Sequence, residues 1–178
     1  MSPVVEVVRT YLQLRAPEQL RPALLDDPSV EFVRRQDIVV DHYRRLYETV
    51  GDRWYWRDRN AWSDERLRSY LASPNIYVWE ALVGGETAGF FEIDRHDDGG
   101  VEIAYFGLVE AFMGRGLGKA MLTRAAQEAW ALGASLVWLH TCTLDSPRAL
   151  PNYKARGFEE TRIERYVYQT SCTVNVSP

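Results

Sequence analysis

The run Gly114-Arg115-Gly116-Leu117-Gly118-Lys119 has the make-up of an anion holder. It follows an apolar strand pattern ending at Leu108. It opens a helix pattern in which Leu117, Met121, Ala125, Ala129 and Leu132 share one stripe. Glycines at the mouth of a helix let backbone approach a ligand with no Cβ in the way. The first N–H groups of the helix are unpaired and point outward, usually at an anion. Arg115 and Lys119 add positive charge at the same place. Spacing excludes two familiar phosphate loops. A Walker loop needs Ser or Thr after Gly-Lys, but Ala120 follows Lys119 and Met113 holds the upstream glycine position. A dinucleotide fingerprint Gly-x-Gly-x-x-Gly ends on Lys119 counted from Gly114 and on Met121 counted from Gly116. What remains is a phosphate cradle of another kind, or a glycine-rich helix entry with no ligand.

A second segment, Ala149-x-x-x-Tyr153-x-x-x-Gly157-Phe158, follows the apolar strand pattern at 136–140. The two segments together resemble the GNAT superfamily of N-acetyltransferases. The pyrophosphate loop of that family reads Gln/Arg-x-x-Gly-x-Gly/Ala. Gly116 and Gly118 match it, while Met113 stands where Gln or Arg is usual. The loop grips through backbone N–H groups, so this departure leaves the grip intact. The Tyr153 segment is similar to the family signature that closes the cofactor site from the far side. The strings at 105–109 and 140–145 resemble a bacterial branch of the family, and the resemblance covers residues 30–168.

The resemblance implies an α/β fold with a mixed, mostly antiparallel sheet flanked by helices. It implies a single acyl-CoA N-acyltransferase domain over residues 1–178, with its core at about 30–168. Residues 1–29 would be an N-terminal strand and connector, and 169–178 a tail. Acetyl-CoA would be the co-substrate, with no metal. Its contacts would fall on Met113, Gly114, Arg115, Gly116, Leu117, Gly118 and Lys119. The strand end Leu108, Val109 and Glu110 would supply the backbone N–H that meets the thioester. Asp145 and Ser146 lie where the family often carries an Asn touching pantetheine.

The implied reaction moves an acetyl group from acetyl-CoA to a primary amine by direct attack in a ternary complex. An alkylamine of pKa ~10 is protonated at neutral pH, so a base or a water chain must free its lone pair. The oxyanion needs fixed N–H donors, and the departing thiolate needs a proton. Glu102 is the candidate base. It lies 14 residues before Gly116, the offset of the catalytic glutamate in the histone-acetyltransferase branch. Its strand is otherwise apolar, where partial burial raises a carboxyl pKa. An outward carboxylate beside the Asp97-Asp98-Gly99-Gly100 turn is the competing view, with bound water, Tyr105 or His140 left to move the proton. Tyr153 is the candidate acid: a phenol stays protonated at neutral pH and sits opposite a thiol of pKa ~8.5. Its alternative is packing under the cofactor.

Other groupings carry less. His140 and Cys142 alternate on one strand, but structural zinc wants four ligands and no further one is evident. Trp54, Tyr55 and Trp56, with Tyr43, Tyr47 and Trp62, are either a cation–π wall for the acceptor or helix packing. A catalytically silent CoA-binding or sensor module stays open as a different class.

The elements that must position these residues follow from pattern. A strand is expected at 4–14, then a connector punctuated by Pro17, Pro22 and Pro28, and a short strand at 29–35. A helix over 38–50 has Asp37 as its N-cap and Gly51 as its stop. A second helix starts after Ser63, stapled by Trp62 and Leu67, and ends at Pro74. Strands at 76–83, 87–95 and 101–108 form a meander. Helix 115–132, strand 135–142, a short helix with Pro151 in its first turn and strand 160–168 complete the order. At 178 residues, 46% apolar and 26% charged, the chain can bury a substantial core. The net charge of −4 and the short basic pairs Arg34-Arg35 and Arg44-Arg45 argue against a nucleic-acid partner. No run approaches the ~18 apolar residues of a membrane span, and no signal-like N-terminus is evident. The expectation is a cytoplasmic protein with no membrane partner, reduced Cys142 and Cys172, and an acceptor that is a small-molecule or peptide amine. A homodimer stays open.

Overall fold

Val-, Tyr- and Phe-rich segments separated by glycine turns fold into one seven-stranded sheet in a computed structural model that describes residues 4–169. Cys172 lies outside the described residues. In chain order the elements are β1 (Val4–Leu14), β2 (Val30–Arg34), α1 (Val40–Gly51), α2 (Asp64–Leu71), β3 (Ile76–Val83) and β4 (Glu86–Arg95). There follow β5 (Gly100–Leu108), α3 (Leu117–Ala131), β6 (Leu136–Cys142), α4 (Ala149–Ala155) and β7 (Glu159–Gln169). The spatial order is β2-β3-β4-β5-β6-β1-β7. All neighbours are antiparallel except β5 and β6. The architecture is the mixed, mostly antiparallel α/β sheet expected.

Two departures have physical causes. The N-terminal strand does not merely precede a core that starts near residue 30. It inserts between β6 and β7, pairing with both, and Val7, Leu12 and Leu14 are fully buried there. A strand pairing with segments about 130 and 150 residues away leaves no local trace in sequence. The start of α1 also differs: Val39 is its N-cap, and Asp37 sits in the preceding turn at φ +52°. α1 ends at Gly51 as expected, in a right-handed rather than a left-handed conformation. That glycine remains helical, and the absence of a Cβ lets the Trp56 ring lie directly on the helix end. The α2 expectation holds: the Ser63 hydroxyl accepts from the N–H of Arg66 at 3.2 Å, with Asp64 and Glu65 in the first turn. Pro151 falls within the first turn of α4.

The sheet carries a core on each face. Met121, Leu122, Ala125, Ala126 and Ala129 of α3 pack on Ile93, Val101, Ile103, Val137 and Leu139, with Tyr153 and Phe158 from the α4 region. On the other face Tyr43, Leu46, Tyr47, Val50 and Leu67 of α1 and α2 cover Val78 and Phe90. Within the α1/α2 face lies Glu92, fully buried, which accepts from the hydroxyls of Tyr43 and Tyr70, both at 2.5 Å. Arg59 donates to it at 3.0 Å and lies against the rings of Trp62 and Tyr70 at 4.0 and 4.2 Å.

Two irregularities shape the centre. The register between β4 and β5 steps from Ile93↔Ile103 to Glu92↔Tyr105, so Ala104 is an extra residue on β5. Such a bulge reverses the alternation of faces. Glu102 and Tyr105 therefore share the α1/α2 face, while Ile103 and Phe106 face α3. The second irregularity is a parting of strands. β5 and β6 pair only from Gly100↔Leu136 to Glu102↔Trp138, and then diverge.

If β1 belongs to the core, Leu12→Ala should cost ~2–5 kcal/mol in chemical denaturation. A loss under ~1 kcal/mol would return that strand to the periphery.

Candidate active site

At the open end of the parted strands, the chain leaves β5 through a short helical turn (Glu110–Phe112) and enters α3 by way of Gly116. Gly116 is the N-cap of α3 at φ +83°, a left-handed conformation that favours glycine. Among the described residues, nothing accepts from the N–H groups of residues 114–118. Those donors, at the start of a 15-residue helix, are the anion-binding ends that an α-helix leaves exposed. The Arg148 guanidinium lies over Gly114, its Nη1 3.6 Å from where a Cβ would stand. Lys119 lies in the first turn of the helix.

A cavity of about 920 Å³ runs from this cradle along the parted strands to the aromatic region. It is lined by Leu108, Met113, Gly114, Gly116, Gly118, Lys119 and Ser146 among the expected cofactor residues, and by both Glu102 and Tyr153. Four others stand off it. The Arg115 guanidinium lies over the Phe112 ring at 5.4 Å, and Leu117 is buried with Ala88 and Phe112. The Val109 N–H donates to the carbonyl of Ala88 at 2.8 Å, so it is not free for a ligand. Alternation along an antiparallel ladder turns the N–H of Leu108 the other way, into the gap left by β6. The exposed Glu110 side chain meets Arg53 at 2.5 Å.

Asp145 and Ser146 are occupied in shaping the turn after β6. The Asp145 carboxylate accepts from the Thr141 hydroxyl at 2.7 Å and from the Cys142 N–H at 2.8 Å. The Ser146 hydroxyl accepts from the Arg148 N–H at 3.3 Å. Sequence reasoning missed Asn152, whose amide donates to the carbonyl of Gly118 at 3.2 Å and ties α4 to α3. Its Oδ1 is buried and without a partner on the cavity wall, the position of an acceptor that a ligand amide would satisfy. Asn152 lies one residue before Tyr153, inside the motif that was already in view.

Glu102 and Tyr153 approach the cavity from opposite faces of the sheet. Burial pushes the Glu102 carboxyl above its ordinary range, against the pull of His96. The Nε2 atoms of His96 and His140 stand 3.3 and 3.8 Å from its two oxygens. Asp94 joins them: ligand-type atoms of Asp94, His96 and Glu102 all lie within 4.8 Å of one another. His96 is set by the β4–β5 turn and Asp94 by direct pairing with Glu102, neither of which spacing alone reveals. Burial lowers the pKa of His140 and nearby Arg9 lowers it further, so the ring favours its neutral form. Tyr153 is buried, its ring edge-on to Phe106 at 6.1 Å and Phe158 at 6.3 Å. Its hydroxyl bonds to no described residue, and burial pushes the phenol well above its usual range.

The aromatic group divides. Tyr43 and Tyr47 are core. Trp62 lies between two guanidinium groups, Arg59 at 4.0 Å and Arg66 at 3.9 Å. Trp54, Tyr55 and Trp56 line the cavity with Tyr70, Tyr105, Tyr166 and Tyr168. Trp56 does both jobs, resting on Gly51 while packing against Phe90 at 6.0 Å and Tyr105 at 5.0 Å. Tyr55 holds φ +59°, costly for a bulky side chain, and meets Tyr168 edge-on at 6.1 Å.

Residues 39–158 match the model of the acetyltransferase (GNAT) family. The chain belongs to that family. Among curated relatives it is 27% identical over 113 residues to an uncharacterised N-acetyltransferase of the pepI 3′ region in Lactobacillus delbrueckii subsp. lactis, covering 60% of this chain and 64% of that one. It is 28% identical over 124 residues to the mycothiol acetyltransferase of Corynebacterium efficiens, covering 66% of this chain and 40% of that one. The matched part thus spans under two thirds of either relative. Among solved structures, a GCN5-related N-acetyltransferase from Kribbella flavida superposes with TM-score 0.67 at 19% identity, over 94% of this chain and 60% of that one. An aminoglycoside acetyltransferase from an uncultured soil metagenomic sample gives TM-score 0.61 at 18% identity, over 73% of this chain and 88% of that one. At such identities the likeness establishes the fold. This GNAT protein has no helix among its described residues long and apolar enough to cross a membrane.

Gly118 is the sharpest probe of the cradle. Its φ is not in the left-handed range and a Cβ would meet only Leu108 Cδ1 at 3.5 Å. Gly118→Ala should therefore leave the fold intact or stabilise it by up to ~1 kcal/mol, yet weaken binding of CoA in calorimetry. Unchanged affinity in the folded variant would remove the pyrophosphate from this helix start.

Proposed function

We propose that this protein transfers the acetyl group of acetyl-CoA to a primary amine by direct attack within a ternary complex. The observation that carries the reading is the placement of Glu102 and Tyr153 on opposite faces of one sheet, both lining the cavity at the parting of β5 and β6. The pyrophosphate would sit on the N–H groups of residues 114–118, with Lys119 and Arg148 alongside. Pantetheine would lie in the gap, where the free N–H of Leu108 faces the thioester carbonyl and Asn152 Oδ1 accepts from a pantetheine amide.

The chemistry follows from the geometry. Glu102, with its carboxyl pushed up by burial, is a better match for an ammonium proton than an exposed carboxylate. His96 and His140, at 3.3 and 3.8 Å, offer that proton a route onward. The freed nitrogen bonds to the thioester carbon, the charge on the carbonyl oxygen is held by the Leu108 N–H, and the C–S bond breaks. The Tyr153 hydroxyl donates to the departing sulfur, which leaves as the thiol; the second proton of the attacking nitrogen is released as the amide forms, and solvent returns a proton to the phenolate. The upward shift of that phenol keeps it a donor throughout the working pH range.

Tyr153→Phe keeps the ring and removes the donor. Its kcat should fall ~10²-fold or more with CoA affinity little changed, as read by steady-state release of free CoA. Near-normal turnover would make the tyrosine a packing residue.

The base has a pH signature. Glu102 must be deprotonated to act, and its pKa is raised. The acidic limb of kcat/KM should therefore lie above the usual carboxylate range, with activity rising as pH passes upward through it. Glu102→Gln should abolish that limb. A profile that keeps it would assign the proton to water. A folded protein that binds acetyl-CoA yet releases no CoA with any amine would join the non-catalytic binding modules.

A further inference from the structure

The cations lining the cavity are distinguished by what already neutralises them. Arg59 is held by buried Glu92 at 3.0 Å. Lys119 and Arg148 flank the cradle, where on the proposed reading they would face the pyrophosphate. Arg9 is left over. It belongs to β1, paired with Cys142 of β6, and two residues on Tyr11 pairs with His140. Strand alternation puts Arg9, Tyr11, His140 and Cys142 on one face, the face of Glu102. Two residues of strand amount to about 7 Å, a span that an Arg side chain covers.

No carboxylate pairs with Arg9 among the described residues. Its Nη2 donates to the Tyr166 hydroxyl at a long 3.4 Å, and its guanidinium lies over the Tyr166 ring at 4.9 Å. Its Nε is buried with no acceptor. Glu164 is its direct partner across the β1–β7 ladder, but that carboxylate is engaged elsewhere. It accepts from the Tyr11 hydroxyl at 2.8 Å and from Arg162 Nη1 at 3.0 Å. A guanidinium with no carboxylate partner and one buried N–H without an acceptor, on the wall of the cavity, suits a planar anion.

We propose that Arg9 receives a carboxylate carried by the acceptor, so that the acceptor is an amino acid or a short peptide bearing a free carboxylate, its amine at Glu102 and its carboxylate at Arg9. This rests on reading the α1/α2 face as the acceptor side. The remaining charges of that compartment agree. Asp58 and Asp94 line it beside Glu102 and favour the ammonium end, while a single arginine suits one carboxylate better than a dianionic phosphate. A polyamine would satisfy the acidic groups but set a cation against Arg9.

The experiment compares acetyl transfer to L-methionine, L-phenylalanine, L-glutamate and L-lysine with transfer to their α-carboxamides, and to spermidine. The expected result is a kcat/KM advantage of ~10- to 100-fold for at least one free acid over its carboxamide. Arg9→Met should erase that ratio while leaving carboxamide turnover in place. Arg9→Lys, which keeps the charge without the fork, should restore part of it. A carboxamide or spermidine acetylated as well as the best acid, or a ratio unmoved in Arg9→Met, would overturn the proposal. Calorimetry of the same amino acids with the CoA-loaded protein separates this from the catalytic reading. Amino-acid binding lost in Arg9→Met supports the carboxylate site even if no thioester is turned over; binding that is absent, or equal in the two proteins, overturns it.

Discussion

Everything in this molecule depends on two neighbouring strands that stop pairing in the middle of a sheet. After Glu102↔Trp138, β5 and β6 diverge, and each turns an edge of backbone donors and acceptors toward the space between them. Buried backbone groups are rarely left without partners, so such a gap persists only if other contacts hold it open and something polar fills it. Here both strands are secured from outside. β5 is laddered to β4 along its length, and β6 to β1 over Arg9↔Cys142 to Leu14↔Val137. Tyr153 and Phe106 meet edge-on across the opening. The gap stays open because its two walls are each held from the outside.

The bulge at Ala104 gives the slot two chemically different sides. Without that extra residue, Glu102 and Tyr105 would lie on opposite faces of β5. With it, the α1/α2 face collects Glu102, Tyr105, His140 and Arg9, and the α3 face keeps Phe106 and Tyr153. Glu102 and Tyr153, the proposed base and acid, thus stand on opposite faces of the sheet. The acceptor face is stiffened from beneath by Glu92. Its two tyrosine hydroxyls and Arg59 satisfy a charge that would otherwise be costly to bury. Removing Arg59 would leave that carboxylate uncompensated, so the arginine holds the wall of the cavity through its bond to Glu92.

How much of this was legible in the sequence follows from how local each feature is. The cradle is contiguous, and its chemistry belongs to helix ends, so residues 114–119 could be read directly. Even there, the side of the chain each residue presents was hidden: Arg115 and Leu117 turn away, and Val109 is tied to Ala88. The Tyr153 helix is equally plain, yet the open acceptor of Asn152 within it exists only once α4 lies on α3. The proposed acceptor half is assembled from β1, the 54–59 connector, β4, β5, β6 and β7. Nothing in a linear string places Arg9 beside His140, or His96 beside Glu102. The alternation at 4–14 marks a strand, but its seat between β6 and β7 is a long-range pairing with no local trace.

The same distinction bears on charge. The cofactor end presents Lys119, Arg148 and the N-terminal dipole of α3, a positive zone suited to phosphates. The acceptor end presents Asp58, Asp94 and Glu102 with Arg9 set among them. A net charge of −4 reveals none of this, because the cavity is bipolar and the sum cancels. The field along the slot therefore favours an anionic cofactor at one mouth and an ammonium group at the other. On the proposed reading, CoA phosphates placed at that end would meet three carboxylates. The two charge zones arise from how one sheet distributes side chains between its faces.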